Sequence, residues 1–186
     1  MTQPRVTVLL IEGDPRDAQI MQEALLEAKE TPFSVEWVDR VAKAVDRLAQ
    51  GAVDLVLTDL QLPDSQGLQT VTRIHAHANG VPIIVLTSLD DEALAVQALQ
   101  QGAQDYLVKG DIQASRNLLV RSIRYAIERT RAEQERLRLA SFPEQHPHPI
   151  IEMDMTGVVT YRNPAARAQF TDLLALGDQH PILSGF

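Results

Sequence analysis

Short apolar runs alternate with amphipathic stretches along the first two-thirds of the chain. The runs are Val6–Ile11, Val35–Val38, Leu55–Leu57, Ile83–Leu86 and Tyr106–Val108. They are too short for buried helices and suit strands covered on both faces. Between them, apolar residues recur at helical spacing. The stripes are Ile20, Ala24 and Leu25; Val41, Val45 and Leu48; Leu68, Val71 and Ile74; and Leu94, Ala98 and Leu99. Punctuation agrees with this reading. Asp14-Pro15 reads as a helix cap followed by a first-turn proline. Gly51 and Gly102 stand where helices should stop.

Repeated strand–helix units with short loops predict a parallel sheet with helices on both faces. Right-handed crossovers leave few topologies. The expected fold is α/β: a flavodoxin-like, doubly wound, five-stranded parallel sheet of order 2-1-3-4-5. In that order the winding reverses between strands 1 and 3, so the ligand crevice is expected at their carboxyl ends.

The fifth helix differs from the others. From Gln113 its pattern is expected to run unbroken to Pro143. Val120, Ile123, Ile127, Thr130, Gln134 and Leu137 alternate at three- and four-residue spacing, apolar early and polar late. Arginines and glutamates decorate the other faces. This predicts a helix leaving its domain as a connector, either solvated and monomeric or paired as a homodimer in a coiled coil. The proline-rich SFPEQHPHPII then marks a boundary. IIEMDMTGVVTYRNPAA reads as strand, Thr-Gly turn, strand and a helix begun at Asn163-Pro164. The expected organisation is a first domain over 1–128, a helical linker over 129–142 and a partial α+β domain over 143–186.

Composition narrows the function. The net charge is −8, which argues against a nucleic-acid-binding surface spread over the molecule. Aromatics make up 4%, so the core must be aliphatic. There is no cysteine, hence no disulfide frame and no thiolate chemistry. The N-terminal apolar stretch is too short for a membrane span and lacks a signal-peptide pattern. A cytoplasmic protein with neither nucleic-acid nor membrane partners is expected. His146 and His148 flank a linker proline without a cysteine or acid cluster, so metal binding is not read there.

The topology brings four strand ends to one rim. They carry Glu12 with Asp14 close behind, then Asp59, Thr87 and Lys109. Clustered carboxylates repel, and an all-oxygen donor set suits a hard cation such as Mg²⁺. Asp59 then has the setting of a nucleophile toward phosphorus. The metal, hydroxyl and ammonium would stabilise phosphoryl oxygens. Each residue also has a plain structural explanation: Asp14 as a helix cap, Thr87 as a turn residue, Lys109 as a solvated lysine. The combination at one rim is what points to chemistry.

VLLIEGDPRDA, LVLTDLQLPDSQGL, PIIVLTSLDDE and GAQDYLVKGD, in this order and spacing, resemble the receiver domains of two-component response regulators. The resemblance implies that Asp59 is the phosphoacceptor, served by a sensor histidine kinase or phosphotransfer protein. It implies Thr87 as the switch hydroxyl, Tyr106 as the switch aromatic and Lys109 as the phosphate-contacting lysine. Mg²⁺ would be held by Glu12, Asp59 and the Gln61 carbonyl, with Asp14 a candidate further ligand. The C-terminal segment resembles the opening of a PAS sensor domain, on NPAA after a strand pair.

The sequence departs from the receiver pattern at Gly13, where the family usually places a second acid. Either Asp14 swings in or metal affinity falls. The alternative function is therefore a pseudo-receiver working as a phosphorylation-independent interaction module. Gly110 stands where a proline with a cis bond is common, so a trans peptide is expected. A haloacid-dehalogenase-type phosphatase would need a general acid where Gln61 stands, and no separate enzyme activity is expected. A flavin site would need a phosphate-cradling loop after strand 1, and none is present.

Overall fold

The computed structural model describes residues 5–28, 31–88, 92–156, 158–171 and 173. The chain divides into two compact units, residues 1–131 and 132–186.

The first unit is built on β1 (Val6–Ile11), β2 (Phe33–Val38), β3 (Leu55–Asp59), β6 (Ile83–Thr87) and β7 (Asp105–Val108). These form one parallel sheet in the order β2-β1-β3-β6-β7. A small antiparallel ladder, β4 (Gln61–Leu62) and β5 (Ser65–Gln66), lies between β3 and β6 in the chain but outside this sheet, and was not anticipated. Helices α1 (Pro15–Leu26), α2 (Val41–Leu48), α3 (Leu68–His75) and α4 (Glu92–Gln100) connect the strands.

The strands divide their side chains by alternation. Val8 and Leu10 of β1 and Leu55 and Leu57 of β3 join Met21 and Leu25 of α1 in one core. Leu9, Ile11 and Val56 pack instead with Val41 and Leu48 of α2 and Ile74 of α3. A third cluster joins Leu60, Val71, Val85 and Ala98, with Leu68, Leu94 and Tyr106 packed against it. Burying a Leu or Ile side chain contributes about 1.5–3 kcal/mol, so these layers supply the stability that holds the rim.

Several expectations are corrected. Leu99 is 38% exposed and falls outside the buried stripe that keeps Ala98. The fifth helix is not continuous from Gln113. A short α5 (Lys109–Ala114) ends at Ser115, whose extended backbone (φ −146°, ψ 93°) breaks it. The long α6 then runs from Arg116 to Gln145 and passes through Pro143 instead of stopping there. That proline has no N–H to give the turn before it, and the helix ends two residues later. The Lys109–Gly110 peptide, by contrast, agrees with expectation: no cis peptide bond occurs among the described residues.

In the second unit, β8 (Ile151–Met153) and β9 (Val159–Arg162) form an antiparallel hairpin followed by α7 (Pro164–Gln169). Asp154 organises the turn by accepting from the backbone N–H groups of Thr156 (2.8 Å) and Val158 (3.0 Å). Gly157 of the expected Thr-Gly turn lies outside the described residues. Asn163 is fully buried and caps α7 by accepting from Ala166 N at 2.9 Å.

Candidate functional site

The sheet register sets the site. Ile11 pairs with Thr58, Asp59 with Leu86, and Thr87 with Val108. Glu12, Asp59, Thr87 and Lys109 therefore follow or end four adjacent strands at one rim. Asp59 is itself the last residue of β3, so its position is fixed by ladder pairing and not by a flexible loop.

Lys109 gathers the carboxylates. Its Nζ lies 2.5 Å from Asp59 Oδ2, 2.7 Å from Glu12 Oε2 and 2.7 Å from Asp17 Oδ2. Burial works against the Lys109 charge, but its contacts with Asp17, Asp59 and Glu12 outweigh that cost. The ammonium consequently titrates above the ordinary lysine range. Glu12 is 1% exposed. Burial, with repulsion from Asp59 added, pushes its carboxyl up more than Lys109 and the Asp14 N–H pull it down.

The remaining polar contacts fix individual oxygens. Asp59 Oδ1 accepts from Gln61 N at 2.9 Å, which orients the carboxylate. Glu12 Oε1 accepts from Asp14 N at 3.0 Å. Glu12 Oε2 is buried and touches the ammonium, but no donor is aligned on it. The Thr87 hydroxyl donates to Ser88 O at 3.0 Å, so in this state it is occupied by its own neighbour. Tyr106 is half-buried against the cluster that contains Leu60 and Val85, one residue from Asp59 and two from Thr87.

Asp14 does not join the cluster. Its exposed carboxylate accepts from Arg16 N at 2.7 Å and caps α1. Asp17, which the sequence reading passed over, does join it. Asp14 and Asp17 have the spacing of a capping box, in which the later acid turns back to the cap's N–H. Here Glu12 already accepts from that N–H, and Asp17 reaches Lys109 instead.

Two further residues support the rim. Trp37 donates its indole N–H to Glu12 O at 2.9 Å. Asp64 accepts from Val41 N and Ala42 N, both at 2.9 Å, and so caps α2 from the loop beyond Asp59. Arg40 at the start of α2 supplies no side-chain cap of its own. The useful signals were an acid in the first turn of a helix starting at the rim and an acid after Pro63. Neither names its partner without the fold.

The oxygen donors around Lys109 suit a hard divalent cation. A Cβ at Gly13 would stand 3.6 Å from Gln61 O, which places that carbonyl beside the loop following β1. Among the described residues, no three acidic or histidine side chains stand grouped for a metal as they are, with the ammonium in contact with all three carboxylates.

Residues 8–124, well over half of the chain, match the family model of the response regulator receiver domain, and the chain belongs to that family. It is 38% identical over 104 residues to the swarming motility regulation protein RssB of Serratia marcescens, covering 56% of this chain and 46% of that one. The transcriptional regulatory protein ZraR of Escherichia coli is 29% identical over 109 residues, covering 59% and 24%. The chain thus spans less than half of either relative.

Solved structures agree on the fold. The signal receiver domain of an HD domain-containing protein from Pseudomonas fluorescens Pf-5 has a TM-score of 0.62 and 27% identity, covering 73% of this chain and 96% of its own. The receiver domain of the sensor histidine kinase PA1611 from Pseudomonas aeruginosa PAO1 has a TM-score of 0.57 and 27% identity, covering 67% and 99%. That structure holds a magnesium ion coordinated in its active site cleft.

Proposed function

We propose that the first unit is a phosphoacceptor module in which Asp59 takes a phosphoryl group from a phosphohistidine on a sensor histidine kinase or phosphotransfer protein. The observation that carries this is the convergence of Asp59, Glu12 and Lys109 at the carboxyl rim of a receiver fold. In the transfer, an Asp59 carboxylate oxygen attacks phosphorus. The new O–P bond forms as the N–P bond of phosphohistidine breaks, and its electron pair stays on the imidazole nitrogen, which then takes up a proton.

The chain's own groups divide the work. Gln61 N holds Oδ1 of Asp59 and Lys109 holds Oδ2, so the carboxylate is oriented before the donor arrives. Once the aspartyl phosphate forms, the ammonium is in reach of its new oxygens. The Thr87 hydroxyl must leave Ser88 O to reach the same oxygens, a side-chain rotation. Glu12, Asp59 and the Gln61 carbonyl are the groups that would hold Mg²⁺, and when bound that ion would neutralise charge on the phosphoryl oxygens.

The output route is the long helix. Leu119, Ile123 and Ile127 of α6 lie in the core shared with β3 and β6. Arg131 pairs at 3.2 Å with Asp54, which also accepts from Thr7 N at 2.9 Å at the opposite end of β3 from Asp59. A two-state change involving Thr87 and Tyr106 would therefore bias a helix packed on the same sheet.

Incubation with acetyl phosphate and Mg²⁺ followed by intact-mass analysis tests the proposal. One added phosphoryl group, about 80 Da, is expected on the wild type and none on Asp59→Asn. An unmodified wild type under conditions that modify another receiver domain would sink it.

A further inference from the structure

The residue after Glu12 is a glycine, and Asp14 uses its carboxylate on the α1 cap. The rim nevertheless holds three carboxylates, because Asp17 reaches in from the first turn of α1. We propose that Asp17 is the third acid of the divalent-cation site, standing in for the acid that Gly13 lacks, and that Lys109 is displaced from Asp17 when the ion binds. This rests on the phosphoacceptor reading of the rim.

Three lines converge. Glu12 Oε2, Asp17 Oδ2 and Asp59 Oδ2 all contact one nitrogen, so a single positive charge already draws the three carboxylates together. One ammonium against three carboxylates leaves an excess of negative charge, which a divalent ion would balance better than a monovalent one. Glu12 Oε2 is also buried, and its 2.7 Å contact with the ammonium is an ion pair that lacks hydrogen-bond alignment. Asp17 is the most exposed of the three, its side chain 33% exposed against 1% for Glu12 and 13% for Asp59.

A flexible Lys109 makes the exchange feasible. Its stem is four carbons long, and its ammonium has three donors that can turn from Asp17 to Asp59 and a phosphoryl oxygen. The same side chain thus serves as internal counter-cation before the metal binds and as a phosphate contact after it.

The test is direct cation binding, read without any phosphoryl donor. Mn²⁺ titration followed by loss of the free-ion electron paramagnetic resonance signal, and Mg²⁺ titration followed by calorimetry, would be run on wild type, Asp17→Asn and Asp14→Asn. The two variants remove the same charge from the same turn, so Asp14→Asn controls for long-range electrostatics, and asparagine retains the cap. The expected result is a loss of affinity of roughly 10–100-fold for Asp17→Asn and about twofold or less for Asp14→Asn. Equal affinity of Asp17→Asn and wild type would overturn the proposal while leaving Asp59 as phosphoacceptor. An equal loss in both variants would also overturn it, because charge alone would then explain the effect. Wild type failing to bind either ion would overturn it together with the metal dependence of the site.

Discussion

At the residue scale, the rim shows that one side chain's partner decides another's role. The carboxylate of Asp14 was legible as a helix cap from Asp14-Pro15 alone, and it caps α1. The role of Asp17 was not legible, because its spacing fits a capping box that Glu12 pre-empts from a different element. Trp37 was missed for a similar reason. Its contact with Glu12 O joins β2 to β1 across the sheet edge, and periodicity does not report which main-chain group an indole will find. Replacing Trp37 by Phe removes that hydrogen bond while keeping an aromatic ring. Urea unfolding should show a loss of about 1 kcal/mol, and an unchanged midpoint would mean the bond contributes nothing to the fold.

At the element scale, strands and helix starts were readable from short apolar runs and caps. The interruption at Ser115 was not, since no glycine or proline marks it and the helical pattern continues on both sides. The β4–β5 ladder was equally hidden, because two-residue strands leave no alternation to read. Its Asp64 is the element-scale device that ties the Asp59 loop to α2. Burial opposes the Asp64 charge, but the N–H groups of Ala42 and Val41, with Arg73 nearby, outweigh it and hold the carboxyl below its ordinary value. A depressed carboxyl stabilises the fold above the unfolded value of 3.8 and loses that contribution as pH falls through the folded value. Asp64→Ala should therefore cost about 1 kcal/mol at pH 7, and the gap to wild type should shrink as unfolding is repeated below pH 3.8. A gap independent of pH would assign the cost to something other than the charged cap.

The same reasoning applies to Asn163. It accepts from Ile150 N and Ala166 N and donates to His146 O and His148 O, so it fastens the hairpin to α7. Asn163→Ala should speed amide hydrogen exchange at Ile150 and Ala166 relative to wild type. Unchanged exchange at both would show that the backbone holds this turn without the side chain.

At the scale of the whole molecule, the parallel sheet explains why function collects at one rim. Every strand of a parallel sheet ends on the same side, and the reversal of winding between β1 and β3 opens the rim between Glu12 and Asp59. The fold class was legible because the alternation of apolar runs and amphipathic stripes reports it directly. The chemistry was legible only in part, because strand ends can be counted along the chain while side-chain partners cannot. The cores beneath the rim have to hold that geometry. Leu57→Ala, one strand position from Thr58 and two from Asp59, should cost about 2–5 kcal/mol; a much smaller loss in urea unfolding would mean this core collapses around the gap.

The central claim is that Asp59 forms an acyl phosphate. Borohydride reduces an acyl phosphate to an alcohol, so trapping the phosphorylated chain converts the modified aspartate to homoserine, which peptide mass spectrometry then locates. The account predicts homoserine at residue 59 and intact carboxylates at Glu12, Asp14 and Asp17. Reduction at any of those three, with residue 59 unchanged, would contradict it.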